Sequence, residues 1–156
     1  MAAVTSCELP DYSRLEPEAL EIVRKYRRLA IVGASPKPER PSHQVMKYLL
    51  EHGFEVVPVN PGQKEILGQV CYPSLLSIPE EKRPEVVIVF RRPDQVPPVA
   101  EEAVKVGARV LWLQEGIVSE EAAGIARKAG LQVIMNRCFK KVHQIAESRP
   151  AASSTP

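Results

Sequence analysis

The sequence predicts an α/β domain in which a doubly wound parallel sheet of about five strands carries helices on both faces. Three observations lead there. Strand-like apolar runs alternate with amphipathic helical segments five times along the chain. Most of the runs are apolar throughout, which means burial on both faces and hence a parallel sheet between helix layers. The 156 residues make one domain, and 44% of them are hydrophobic, enough for a core. Right-handed crossovers wind such a sheet in both directions from its centre.

Residues 1–15 carry no regular pattern. Glu16-Pro17-Glu18 opens a helix, with proline and acids in its first turn. Leu20, Ile22, Val23 and Tyr26 give that helix an apolar face to about Arg27. The basic run Arg24-Lys25-Tyr26-Arg27-Arg28 reads as its solvated end. Leu29 to Val32 is the first strand. Ser42 stands as the N-cap of the next helix, Val45, Met46, Leu49 and Leu50 follow at helical spacing, and Gly53 ends it. Glu55 to Val59 is the second strand. A long connection then runs from Asn60 to Pro84, with a helical turn at Ser74 to Ser77. Val86 to Phe90 is the third strand, followed by a helix over Asp94 to Val106 whose first turn holds Pro97-Pro98. Val110 to Leu113 is the fourth strand, and Ser119 caps a helix to Ala129 that Gly130 closes. Leu131 to Met135 is the last strand and Phe139 to Glu147 the last helix. The domain thus occupies residues 1–148, and Arg149 to Pro156 is expected as a disordered tail.

Composition narrows the function. The net charge of +2, from scattered Lys and Arg, does not suggest a nucleic-acid surface. No apolar stretch approaches the ~20 residues that span a bilayer, and the first residues lack the pattern of a signal peptide, so the expected setting is the cytoplasm. The 3 cysteines, Cys7, Cys71 and Cys138, form no C-x-x-C pair, and the 3 histidines show no metal-ligand spacing. Neither a disulfide framework nor a metal site is indicated. Fifteen prolines beside only two asparagines, Asn60 and Asn136, suit a thermophile. Val96, Val99 and Ile125 fit either the core or an interface with a protein partner or a second copy.

In a doubly wound sheet a ligand binds at the carboxyl ends of the strands, near the point where strand order reverses. The first such loop is Gly33-Ala34-Ser35-Pro36-Lys37-Pro38-Glu39-Arg40-Pro41-Ser42. Gly33 allows close backbone approach, the following helix start favours an anion, Ser35 can hydrogen-bond a phosphate, and Lys37 and Arg40 can balance its charge. His43 follows within reach of a ligand, although a surface histidine is the plainer reading. The second loop, Val59-Asn60-Pro61, offers no acid to a ribose, and the first lacks G-x-G-x-x-G. Both departures argue against NAD(P). The third, Phe90-Arg91-Arg92-Pro93, sets two arginines at a strand end, suited to phosphate or carboxylate or simply to solvent. The fourth, Gln114-Glu115-Gly116, offers an amide for reading a ligand. The fifth is Asn136-Arg137-Cys138, where a helix start and an arginine should lower the pKa of Cys138 if that thiol is not merely a small buried residue. There is no G-x-S-x-G elbow and no G-x-x-x-x-G-K-[ST] phosphate loop, so no catalytic set emerges.

Taken together, Ile31-Val32-Gly33-Ala34-Ser35, Arg40-Pro41-Ser42, Pro58-Val59-Asn60-Pro61, Cys71-Tyr72-Pro73-Ser74-Leu75, Leu111-Trp112-Leu113-Gln114-Glu115-Gly116 and Asn136-Arg137-Cys138 resemble the small stand-alone coenzyme A-binding protein family. The likeness covers about residues 25–146. The pattern is also similar to the CoA-binding domain of the succinyl-CoA synthetase alpha subunit, through Glu115-Gly116-Ile117 and, more loosely, Asn136-Arg137-Cys138. The resemblance implies a Rossmann-like fold with CoA across the strand ends. It implies that Gly33-Ala34-Ser35 and Arg40 meet the phosphates. Val59-Asn60-Pro61 and Phe90-Arg91-Arg92-Pro93 would line the nucleotide and pantetheine path, and Gln114-Glu115-Gly116 and Cys138 would lie toward the thiol. Many relatives carry an acid where this chain has Asn136, and the synthetase's second domain, with its phosphorylated histidine, has no counterpart here, so ligase activity does not carry over. The expectation is a CoA or acyl-CoA binding protein, a carrier, sensor or regulator without catalysis of its own. Its rivals are an NAD(P)-dependent oxidoreductase or redox-sensing nucleotide domain, and an interaction subunit with a vestigial pocket.

Overall fold

The structure, a computed structural model, describes residues 11–149. Helix α1 (Pro17–Lys25) leads into β1 (Arg28–Val32), then α2 (Pro41–Glu51) and β2 (Glu55–Val59). A hairpin of β3 (Glu65–Ile66) and β4 (Gln69–Val70) follows, then β5 (Val86–Val89) and α3 (Val96–Lys105). The chain continues through β6 (Val110–Leu113), α4 (Glu120–Lys128), β7 (Gln132–Ile134) and α5 (Phe139–Ser148). The main sheet has 5 strands in the order β2-β1-β5-β6-β7, and every neighbouring pair is parallel. This is the Rossmann-like architecture expected.

Strand alternation divides the core in two. Leu29, Ile31, Ile88 and Trp112 point to one face, where they meet Ile22 of α1, Met46 and Leu49 of α2, and Phe139 and Val142 of α5. Ala30, Val32, Val87, Val89, Leu111 and Leu113 point to the other, against Ala100 and Ala103 of α3 and Ala122, Ala123 and Ala126 of α4. The alanines let α3 and α4 lie close to the sheet and to each other. Trp112, fully buried, donates its indole N–H to the Arg137 carbonyl at 2.8 Å, so the polar atom of the largest core residue is satisfied. Val96 is fully buried, and Val99 and Ile125 pack partly buried against this second core. Val96 therefore belongs to the interior, and Val99 and Ile125 to its partly exposed edge.

After β2 the chain crosses back over the sheet to enter β5 on the far side of β1. Strand order reverses there, and the crevice between β1 and β5 opens at their carboxyl ends.

Four local expectations are corrected. Ser42 is not an N-cap: Arg40 holds the extended cap conformation, Pro41 occupies the first helical position, and Ser42 lies buried within the first turn. Proline's fixed φ suits that first position, which moves the boundary back. The helix expected from Asp94 begins as a 3-10 turn, Pro93–Gln95, and becomes α-helical at Val96. The long connection holds the β3–β4 hairpin, turned through Leu67 (φ 51) and Gly68 (φ 79), in addition to the expected turn at Leu75–Ser77. Arg149, assigned to the tail, is the C-cap of α5. Residues 1–10, with Cys7, and 150–156 lie outside the described residues.

Candidate functional site

Gly33 sits at the switch point. Its φ is +92, and a Cβ added to it would come 2.5 Å from the carbonyl oxygen of Phe90. Only glycine lets the first turn pass this close to the end of β5. The turn is tied on both sides. The Gly33 N–H donates to the Val59 carbonyl at 3.0 Å, and the Phe90 N–H donates to the Val32 carbonyl at 2.8 Å. Asn60 completes the frame: its side-chain amide donates to the Ala34 carbonyl at 2.7 Å, and its Oδ1 accepts the Gly62 N–H at 2.8 Å. Asn60 is thus spent on holding loops one and two together.

The first loop then leads into α2. Ser35 Oγ accepts the Lys37 N–H at 3.1 Å, and the Ser35 carbonyl lies 2.9 Å from Nδ1 of His43. Among the described residues no side chain caps α2, and its first turn holds no acid. Lys37 and Arg40 are exposed, and neither has an ion-pair partner among the described residues. Arg92 pairs with Asp94 at 3.6 Å, whereas Nε of Arg91 is buried without a hydrogen-bond partner among the described residues. Arg91 lines a cavity of about 150 Å³ with Val32, Val59, Pro61 and Ser74.

Loops four and five form a second assembly. Asn136, at φ 61, accepts the Gly116 N–H on Oδ1 at 2.7 Å. Gln114 is 4% exposed, and its Oε1 accepts the Phe139 N–H at 2.9 Å, so it anchors the start of α5 from within. Arg137 pairs with Glu16 at 3.1 Å. Cys138 is the N-cap of α5 and is buried. Its N–H donates to the hydroxyl of Tyr12, which itself donates to Oε2 of Glu115 at 2.7 Å. Burial, then that hydrogen bond to Glu115, raises the Tyr12 phenol above its ordinary value. Lys141 holds the same Glu115 oxygen at 2.9 Å. A cavity of about 290 Å³ lies beside this cluster, between α2 and α5.

The five loops expected to form the site therefore share one end of the sheet. Gly33, Ala34, Val59, Asn60, Pro61, Phe90 and Arg91 surround the switch point, and Glu115, Asn136, Arg137 and Cys138 gather at the start of α5. Gln114 and Ser42 are buried and turn into the protein. Tyr12 and Glu16 were missed, because a tyrosine in an irregular segment gives no local signal of where it docks. Cys71, in the long connection, is buried, and burial raises its thiol pKa. Among the described residues, no cluster of His, Cys, Asp and Glu could hold a metal, and no helix is long and apolar enough to cross a membrane.

Comparison with known proteins bears on the same loops. A family model described as a CoA binding domain matches residues 27–144. The uncharacterized protein YneT of Bacillus subtilis is 41% identical over 130 residues, a match spanning 83% of this chain and 95% of that protein. The alpha subunit of an ADP-forming acetate–CoA ligase I from Pyrococcus furiosus is 32% identical over 145 residues, spanning 83% of this chain but 31% of the subunit. A hypothetical protein from Pyrococcus horikoshii of known structure superposes with a TM-score of 0.81 at 45% identity, covering 90% of this chain and 98% of that one.

Proposed function

This chain belongs to the CoA-binding domain family, and from that membership we propose that it binds coenzyme A or an acyl-CoA across the carboxyl ends of its sheet, as a carrier, sensor or regulator without catalysis of its own. One observation supports this above the others. Gly33 passes under the Phe90 carbonyl at the switch point, and the loop it starts leads to a helix with no side-chain cap and with two cations beside it that have no ion-pair partner among the described residues. CoA carries a diphosphate and a 3′-phosphate, and a helix start with Lys37 and Arg40 beside it suits such anions. Arg91, with its buried unpartnered Nε, adds a donor by the smaller cavity, where Val59 and Pro61 offer apolar surface to a nucleotide. Glu115, Gly116 and Cys138 lie toward the thiol end in this reading.

A nicotinamide nucleotide finds less here. The end of β2 holds no acid for a ribose, and both ends of the Asn60 side chain are already bonded to backbone. The acetate–CoA ligase subunit extends far beyond the segment this chain matches, so ligase chemistry is not part of the proposal. The expected setting is the cytoplasm.

The test is a thermal-shift titration against CoA, acetyl-CoA, NAD and NADP. A ligand that binds only the native state raises the melting temperature according to its concentration and affinity. The expected result is a shift with CoA and its ester, reduced in Arg40→Ala. A shift with NAD or NADP and none with CoA would overturn the reading.

A further inference from the structure

His43 stands in the first turn of α2, directly after the loop that Gly33 opens. It is half-buried, and its Nδ1 lies 2.9 Å from the Ser35 carbonyl oxygen. A carbonyl oxygen only accepts, so Nδ1 carries the proton and donates it. The ring is thus tied back onto the loop and is not a free surface histidine.

That bond belongs to a pattern. Of the carbonyls from Ala34 to Glu39, only that of Pro36 has no donor among the described residues. Asn60 holds the Ala34 carbonyl at 2.7 Å, and the Arg40 N–H holds that of Lys37 at 3.0 Å. The Gln44 amide lies 3.4 Å from the carbonyls of both Pro38 and Glu39. Carbonyl oxygens repel a phosphate, whereas N–H and O–H groups attract it. The two ends of a trans peptide point oppositely, so binding the Ala34 and Pro38 oxygens turns the N–H groups of Ser35 and Glu39 the other way. Neither of those N–H groups has an acceptor among the described residues.

Ser35 is the residue on which this matters most. Its Oγ accepts the Lys37 N–H at 3.1 Å, which leaves the hydroxyl proton to give. Its carbonyl precedes Pro36, which has no N–H. A Ser35–Pro36 peptide that turned toward the crevice would bring only an oxygen, with no donor in exchange.

We propose that His43 is a positioning residue for anion binding. It holds the Ser35 carbonyl against α2, which keeps that oxygen from a bound phosphate and fixes Ser35 with its hydroxyl proton free to donate. The role rests on the CoA-binding reading, which brings the phosphates of CoA to this loop.

Calorimetry with CoA on the parent protein and two variants tests it. His43→Leu removes the donor and should weaken CoA by about tenfold. His43→Asn places an amide N–H near the position of Nδ1 and should restore affinity to within about threefold of the parent. Parent-like affinity in His43→Leu, or equal weakness in both variants, would overturn the role and leave CoA binding standing. Nitrogen NMR of the unaltered protein reads the contact directly. At about pH 8, where histidine rings are ordinarily neutral, His43 should carry its proton on Nδ1 and leave Nε2 bare. The opposite tautomer would overturn the proposal even if His43→Leu failed to fold. Failure of the parent to bind CoA would overturn the underlying reading, and this role with it.

Discussion

Replacing Gly33 with alanine examines the switch point directly. The new Cβ would lie 2.5 Å from the Phe90 carbonyl oxygen and 3.1 Å from its carbon. Both atoms are backbone, at the end of a strand hydrogen-bonded into the sheet, so neither can rotate aside. The residue would also hold φ +92, a conformation that costs an L-residue about 1–2 kcal/mol. Forcing loop and strand apart adds about 1–3 kcal/mol, the usual range for overpacking. Gly130 provides the control. Its φ is also +92, but nothing lies within 4 Å of its added Cβ. Gly130→Ala therefore carries the conformational cost alone. In a chain of this size about 1 kcal/mol shifts the melting temperature by ~2–4 °C. Thermal unfolding followed by circular dichroism should show Gly33→Ala falling by ~4–20 °C and Gly130→Ala by ~2–8 °C. Calorimetry with CoA should show weakened binding in the first variant alone. Equal destabilisation of the two variants, with CoA affinity unchanged in both, would refute the idea that close packing at Gly33 shapes the site.

Three further outcomes are expected. Asn60→Ala removes the side chain that joins Ala34 to Gly62 and should lower stability by about 1–3 kcal/mol, seen as a lower urea midpoint at unchanged slope. Tyr12→Phe strips the hydroxyl from both Glu115 and the Cys138 N–H and should cost about 1–3 kcal/mol by the same assay; no change would mean the N-terminal segment does not hold the start of α5. The third concerns pH. His143 is 5% exposed, hydrogen-bonded through Nδ1 to the Tyr48 hydroxyl at 2.7 Å, and burial depresses its pKa below the ordinary 6.5. As pH falls below 6.5 the unfolded chain takes up a proton that the folded chain resists, so stability should fall until the folded pKa is passed. His143→Gln should flatten that part of the profile in chemical unfolding at pH 7, 6 and 5.

Much of the fold is legible in the linear pattern. The runs Val86 to Val89 and Val110 to Leu113 are apolar at every position, and both are central strands buried on two faces. Ser119 announces its helix and caps it, accepting the Ala122 N–H. Where the pattern misled, competing local chemistry decided. Ser42 has the composition of a cap, but Pro41 before it suits the first helical position better. The β3–β4 hairpin escaped notice because Leu67 takes a left-handed turn position usually held by asparagine, aspartate or glycine. Gln114 looked like a ligand-reading amide because it ends a strand, yet it faces inward and bonds the first N–H of α5.

The sequence by itself determined which segments form the main sheet, that this sheet is parallel, and which five loops share its carboxyl end. Periodicity and apolar content are local, and a parallel sheet forces every strand to present its carboxyl end on the same side. Tertiary structure alone decided what those loops do once they meet. Contact between Gly33 and Phe90 joins residues far apart in the chain, as does the docking of Tyr12 on Glu115 and Cys138. Likewise it is Lys141 and not Lys140 that reaches the Glu115 carboxylate, a pairing fixed by how the start of α5 docks beside the fourth loop. Such pairings depend on crossover geometry and on which side chains the fold brings within reach of each other, and no window of neighbouring residues contains that information.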